Sequence, residues 1–224
     1  MNRTLGLILA IILALCLLAG IVGGTYAYFS DTETSTDNHM TAGTLDLVPL
    51  VTGSYSGDSS LYSVAAGGNG INGNVTFGMI APGQTGTIEW VLSNTGTLGG
   101  TLTIASTSTF TENGTNEPEG AVSGNNGGGN GDLDDYLKVT LQRGVGTDQA
   151  SAEAALSYIL GSAGSPVAIS GLDAVLNAEG QTLAASGAND TIVYVLTWSL
   201  PDDPDINIVQ SDTAEIDVTF TLTQ

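Results

Sequence analysis

Two clusters of aspartate are the residues whose type and spacing come closest to a metal site. Carboxylate oxygens in loops are the ligands that Ca²⁺ prefers. Neither cluster has the spacing of an EF-hand loop, and an acid-rich chain also places carboxylates on solvated loops. Calcium held by the first cluster is therefore one of two interpretations, and the other is an acidic loop without a ligand. The first cluster is Asp132, Asp134 and Asp135, and the second is Asp202, Asp203 and Asp205.

Residues for nucleophilic or zinc chemistry are scarce. Cys16 and His39 are the single cysteine and the single histidine, and Cys16 lies in the apolar N-terminal run. Zinc sites built on cysteine or on paired histidines need more such residues, and a Ser-His-Asp arrangement would depend on His39 alone. Paired carboxylates can hydrolyse glycosides, but the acids here occupy loops or outward strand positions. We therefore predict no enzyme activity and no cofactor other than calcium.

The charge of the chain excludes one class of partner. The 224 residues include 23 acidic and 3 basic side chains, which gives a formal net charge of −20. Binding to nucleic acid needs clustered lysine and arginine that displace counterions. Nucleic acid is therefore excluded as a partner, and such an acidic surface suits high ionic strength, where salt screens the repulsion between like charges.

The N-terminus is typical of an export signal. Arg3 precedes an uncharged apolar run over residues 5–22, and the stretch 23–27 that follows is small except for Tyr26 and ends at Ala27. This order predicts a signal peptide over residues 1–27, cut by a signal peptidase between Ala27 and Tyr28, and a secreted, extracellular or cell-surface product that contacts the membrane only before cleavage. The run is also long enough to reach the lower range of a membrane-spanning helix, so an uncleaved anchor is the alternative.

Apolar residues alternate with polar ones along most of the chain after residue 40. This period of two indicates strands with one buried and one wetted face, and about seven of them joined by Gly, Asn and Pro turns predict an antiparallel β-sandwich over residues 41–224. The same parity places Trp90 and Trp198 in the core rather than on a carbohydrate-binding surface. The clearest apolar sets are Val75, Phe77 and Met79; Ile88, Trp90 and Leu92; Leu102 and Ile104; Leu137, Val139 and Leu141; Ile192, Tyr194, Leu196 and Trp198; and Ile216, Val218, Phe220 and Leu222.

Short helices and long loops complete the predicted fold. Helical spacing favours residues 148–160, with Asp148 as the N-cap, and residues 172–178. Gly-rich and Asn-rich segments predict surface loops over residues 53–73 and 106–132. Three sequons in the predicted mature region offer candidate glycosylation sites at Asn74, Asn113 and Asn189.

Several motifs resemble the TasA/camelysin family of secreted fibre-forming proteins. The most specific block is GGTYAYFSDTETS at residues 23–35, followed by MTAGTLDL at 40–47. Further likeness lies in APGQ at 81–84, NTGTL at 94–98, DDYLKVTL at 134–141, the segment 198–201 and DVTFTL at 217–222. The N-terminus resembles the signal that a SipW-type signal peptidase processes in that family.

This resemblance implies a jelly-roll sandwich that polymerises outside the cell into biofilm-matrix fibres or bundling pili. The extended N-terminus of one copy, residues 28–40 on this chain, would complete the sheet of the next copy, so the main partner is the chain itself in a head-to-tail homopolymer. Some family members are described as metallopeptidases, and this chain shows no recognisable zinc ligand set. The donor strand would begin with Tyr28, Phe29, Ser30, Asp31, Thr32 and Glu33.

Two other readings of the sequence remain open. A pilin-like subunit would keep residues 5–22 as the helical core of a filament. A membrane-anchored surface module with a binding or enzymatic role would keep the same residues as an anchor and stay monomeric.

Overall fold

The computed structural model describes residues 47–55, 62–67, 70–78, 80–112, 132–202, 209 and 212–224. The chain divides into residues 1–42 and 43–224, and every described residue lies in the second unit. The predicted signal peptide, its cleavage site between Ala27 and Tyr28, the donor segment and the sequon at Asn113 lie outside the described residues.

Two antiparallel sheets form the body of the second unit, which confirms the predicted all-β sandwich. The first sheet has the order β1, β4, β10, β6, β7, and β8 also pairs with β6; the second has the order β2, β3, β11, β5, β9. The strands are β1 (Leu47–Tyr55), β2 (Tyr62–Gly67), β3 (Gly70–Gly78), β4 (Thr85–Asn94), β5 (Gly100–Thr111), β6 (Lys138–Gly146), β7 (Ser157–Leu160), β8 (Val167–Ala168), β9 (Gly180–Leu183), β10 (Thr191–Ser199) and β11 (Thr213–Thr223).

From β3 to β6, every connection passes from one sheet to the other. The last two strands then enter the centres of the sheets: β10 lies between β4 and β6, and β11 lies between β3 and β5. These crossings are the kind of connection on which Greek-key and jelly-roll sandwiches are built. Each sheet is therefore complete only when the C-terminal third of the chain has been placed.

The core consists of the inward residues that the period-two pattern identifies. Trp90 and Trp198 are each 1% exposed, which confirms their predicted place in the core. The ring of Phe77 meets that of Trp198 edge-on, with centroids 5.4 Å apart, across the space between the sheets. All the described residues of the predicted apolar sets are buried.

Two glycines make room for the tryptophan rings. The Nε1 group of Trp90 donates a hydrogen bond to the carbonyl oxygen of Gly73 at 3.2 Å. A Cβ atom on Gly86 would lie 2.6 Å from Cε2 of Trp198, because these residues are directly opposite each other on β4 and β10. The buried indoles thus depend on glycine, which has no side chain, in the strands beside them.

The helices are short and lie between strands: α1 (Leu133–Tyr136), α2 (Gln149–Ala154) and α3 (Leu172–Leu176), with a 3₁₀ turn at Ile169–Gly171 before α3. Asp148 is the N-cap of α2, as predicted: the Ser151 amide donates to Asp148 Oδ1 at 2.7 Å. The predicted extension of this helix to residue 160 is wrong, because Ser157–Leu160 pairs with β6 as β7. Within the described part of the chain, no helix combines the length and apolarity needed to cross a membrane.

The predicted loop over residues 53–73 is wrong in large part, because this segment contains the end of β1, all of β2 and the start of β3. Likewise β5 continues to Thr111, inside the predicted loop over residues 106–132. Glycine and serine content indicated loops there, but backbone pairing with neighbouring strands outweighs weak intrinsic strand propensity.

Substituting Gly86 tests the packing of the Trp198 ring. Gly86→Ala places a methyl group against a buried indole that has no room to move, so we expect a loss of about 1–3 kcal/mol in the free energy of unfolding. Gly180→Ala is the matched control, since nothing lies within 4 Å of an added Cβ there. Urea denaturation measures both, and equal stabilities of the two variants would contradict this account.

Candidate functional site

The lateral margins of the sandwich are the surfaces at which a neighbouring copy would add a strand. The order of the two sheets leaves β1 and β2 on one side and β7, β8 and β9 on the other. An edge strand offers unpaired N–H and C=O groups, which added backbone can satisfy unless the edge is short, bulged or covered. The two sides differ in how far they are protected.

Helix α3 covers the edge of β5. β5 pairs with β9 only over Gly100–Thr103, so its later residues need another partner on that side. The Ser106 amide donates to Asn177 Oδ1 at 2.7 Å, and Asn177 Nδ2 donates to the Ser106 carbonyl at 2.9 Å. The Ser108 amide donates to Asp173 Oδ2 at 2.6 Å. Two side chains at α3 thus take the place of a strand and block further addition.

The edge of the first sheet on that same side is short and irregular. β7 has four residues, β8 has two, and the register shifts between Leu141 and Gln142 of β6. Short, bulged strands are the usual protection against edge-to-edge association. This side therefore makes a poor acceptor for an extended chain.

β1 presents the opposite case. It pairs with β4 without interruption from Leu47 opposite Asn94 to Tyr55 opposite Gly86, and nothing among the described residues pairs with its other edge. Asp58 is the one charged residue between Leu47 and Ile88 in a chain with 23 acids. Pro49 removes a single N–H from β1. A long, nearly uncharged edge of this kind is the candidate acceptor for a strand.

An ion pair between the sheets was missed by the sequence analysis. Arg143 Nη1 lies 2.8 Å from Glu179 Oε2, and the Tyr194 hydroxyl donates to the same oxygen at 3.1 Å. Burial, together with the Glu179 charge, raises the pKa of Tyr194 well above its usual range. The alternation along β6 could have indicated this ion pair, because Arg143 lies on the same inward face as Val139 and Leu141. Glu179, which precedes β9 in the second sheet, is thus bound to Arg143 of β6 and Tyr194 of β10 in the first sheet.

The first aspartate cluster lies at a helix and not in a loop, which corrects the prediction. Asp134 and Asp135 are in the first turn of α1, and Asp132 precedes it. Burial, and then neighbouring carboxylates, raise the pKa of both Asp132 and Asp134. Among the described residues no group of three or more His, Cys, Asp or Glu side chains is placed to hold a metal. Calcium stays one of two interpretations of the first cluster, and Asp203 and Asp205 of the second cluster lie outside the described residues.

The described sequons occupy different environments. Asn74 is half-buried in β3, and its Oδ1 accepts a hydrogen bond from the Val218 amide at 3.2 Å. Asn189 is exposed in a turn and has a φ of 51°. Of these two, Asn189 is the more accessible acceptor, and glycosylation itself stays a prediction.

The motif at residues 81–84 has a structural role. The Ala81 amide donates to Gln84 Oε1 at 2.7 Å, and the Gly83 amide donates to the Leu200 carbonyl at 2.8 Å. Gly83 has a φ of 79°, which suits glycine. The turn that leads into β4 is thereby fixed to the end of β10, within the similar segment 198–201.

The motif at residues 94–98 also has a structural role, which depends on the side chain of Asn94. This side chain is 1% exposed; its Nδ2 donates to the carbonyls of Leu98 and Ala184, at 2.8 and 2.7 Å, and its Oδ1 accepts from the Gly96 amide at 3.0 Å. One buried amide thus organises the turn after β4 and the segment after β9. Both motifs hold the ends of strands, so they preserve the fold.

One family comparison covers the N-terminal part of the chain. The family model described as camelysin metallo-endopeptidase matches residues 2–51, which confirms the predicted resemblance over that segment and ends within β1. A comparison with curated proteins finds no match. The fold is an antiparallel β-sandwich in which the long edge strand β1 has no partner among the described residues on its outer side, and its N-terminal segment is similar to camelysin.

Removing the side chain that covers β5 tests the edge protection. Asp173→Ala leaves the Ser108 amide and two serine hydroxyls without their acceptor, so we expect a loss of about 1–3 kcal/mol in unfolding free energy and a greater tendency to self-associate. Asp217→Ala removes the same charge from an exposed site on β11 and should stay within about 0.5 kcal/mol. Urea denaturation and analytical ultracentrifugation compare them, and a stable, monomeric Asp173→Ala variant would refute the protective role.

Proposed function

We propose that the chain is a secreted structural subunit that joins copies of itself into an extracellular filament, either a biofilm-matrix fibre or a bundling pilus. Residues 28–38 of one copy pair with the exposed edge of β1 of the next. Two observations support this proposal: the camelysin match over residues 2–51 and the long edge of β1, which contrasts with the covered margin on the opposite side.

The lengths of donor and acceptor agree. An extended segment of residues 28–38 spans roughly 36 Å, and the nine residues of β1 span roughly 30 Å. Tyr28 and Phe29 are the large apolar residues of the donor. Most of the affinity therefore comes from backbone hydrogen bonds along the strand, which is the physics of β-augmentation.

Charge favours the same pairing. The donor carries Asp31, Glu33 and Asp37, so an acidic acceptor surface would repel it. β1 and β2 contain no charged residue, whereas the rest of the chain is strongly acidic. The uncharged margin is thus the part of the surface where an acidic strand meets the least repulsion.

Addition of copies through a single margin explains why the assembly would be a filament. A donor on one copy and an acceptor on the next form a head-to-tail contact that does not close on itself, and such contacts make filaments. Cleavage between Ala27 and Tyr28 frees the donor from the membrane, so processing controls when assembly starts. The proposal assigns no peptidase activity, because one histidine and one cysteine fall short of the nitrogen and sulfur ligands that zinc sites commonly use.

Deleting the donor tests assembly. The mature chain starting at Tyr28 should form filaments in electron micrographs at high salt, and a chain lacking residues 28–38 should remain monomeric with an unchanged circular dichroism spectrum. The reason is that the deletion removes the added strand but leaves the sandwich intact. Filaments formed by the deleted chain would refute strand donation.

Adding the donor back as a peptide tests the acceptor edge. A peptide of residues 28–38 should slow hydrogen exchange in β1 of the deleted chain and leave β9 unchanged, whereas a scrambled peptide should do neither. Protection of β9 instead would contradict the choice of margin. N-terminal sequencing of native filaments separates the pilin-like alternative, which predicts a start before residue 6 and not at Tyr28.

A further inference from the structure

A small cavity opens on the outer face of the first sheet, where β6 and β10 lie side by side. Its volume is about 270 Å³. In the pairing of these strands Lys138 is opposite Ser199, and Thr140 is opposite Thr197, so four polar side chains share one face. Tyr158 of β7 stands beside them. Together with Ala163, Pro166 and Trp198, which also line the cavity, the wall thus offers one cation, several hydroxyl groups and the exposed ring of Tyr158.

Lys138 is the charged group of this cavity. Its Nζ donates to the Asp135 carbonyl at 2.6 Å, which leaves two further N–H donors on the ammonium group. Among the described residues Lys138 forms no ion pair with a carboxylate, and the described ion pair joins Arg143 to Glu179. In a chain with 23 acids and 3 cations, this places a positive charge where a carboxylate from outside is attracted.

Tyr158 supplies a flat apolar surface. It is 42% exposed, and no other large hydrophobic side chain in the described part of the chain is exposed to that degree. Tyrosine offers an apolar ring face together with a polar hydroxyl. That combination suits a ligand with C–H groups on one face and hydroxyl groups around its rim.

We propose that this cavity binds an acidic sugar, a single hexuronate residue of a polysaccharide. The sugar ring packs on Tyr158, its carboxylate meets Lys138, and its hydroxyl groups exchange hydrogen bonds with Thr140, Thr197 and Ser199. The volume lies just below the roughly 300–1,000 Å³ of pockets for drug-sized ligands, which suits one ring. The inference does not depend on filament assembly.

An acidic peptide fits the cavity less well than a sugar. β6 and β10 are interior strands whose backbone groups are paired on both sides. An extended peptide therefore finds no open edge there and would have only side-chain contacts. The hydroxyl-rich wall instead matches the many hydroxyl groups of a sugar.

Titration of the chain that lacks residues 28–38, which is expected to stay monomeric, with galacturonate, its short oligomers and neutral galactose tests the assignment by NMR chemical-shift mapping. Galacturonate should shift the amides of β6, β7 and β10 at the cavity, and it should bind more weakly at higher salt. Lys138→Gln should weaken galacturonate binding roughly two- to fivefold and leave galactose unchanged, whereas Lys138→Arg should restore much of the loss.

Further variants distinguish the contribution of Tyr158 from that of Lys138. Tyr158→Ala should weaken both sugars, and Gln142→Ala, on the same face of β6 outside the cavity, should weaken neither. Unchanged thermal melting confirms that each variant is folded. The proposal is overturned if galacturonate at roughly 10 mM shifts no amide at the cavity, or if Lys138→Gln binds it as wild type does. Binding of a peptide of residues 28–38 at the cavity, without binding of galacturonate, would also overturn it and assign the cavity to a second copy.

Discussion

Backbone N–H and C=O groups at the margins of a sheet must find partners or stay in water, and this requirement shapes the whole sandwich. On the side of β7, β8 and β9 the requirement is met for part of β5 by side chains and is reduced elsewhere because the edge strands are short. Side chains at α3 replace a missing strand next to β5, and short, bulged strands end the first sheet. On the side of β1 it is met by no described residue. The two margins are therefore not equivalent: the margin at β1 has backbone groups open to an added strand, and the opposite margin is protected.

The interior supports this arrangement because the centres of both sheets are filled by the last strands of the chain. β10 and β11 each pair with two earlier strands and carry Trp198 and Phe220 into the core. The margins are thus free to be built from shorter or less regular segments. The ion pair of Arg143 with Glu179 holds one of these segments to the opposite sheet.

Periodicity was enough to predict the central strands, since a strand with one buried face must alternate. It failed for β2, β8 and β9, where few large apolar residues are present, and for β7; in all four, pairing with a neighbour decides the conformation. It also extended the helix after Asp148 too far, because the apolar residues 156, 159 and 160 fit a helix as well as a strand. The edge protection by Asp173 and Asn177 had no sequence signal beyond the residue types.

Patterns in the sequence were sufficient to predict the fold class, the inward residues of the central strands, the cap of α2, the excess of acid and the likeness to camelysin in the N-terminal segment. All of these features depend on the spacing of apolar residues, on residue types and on short motifs, which can be recognised within a short stretch of the chain. Three features became visible in the folded chain alone: which margin is covered, the pairing of Arg143 across the sheets, and the cavity that Lys138 and Tyr158 share. Those outcomes depend on which distant strands lie side by side, and strand order is not written in any local pattern.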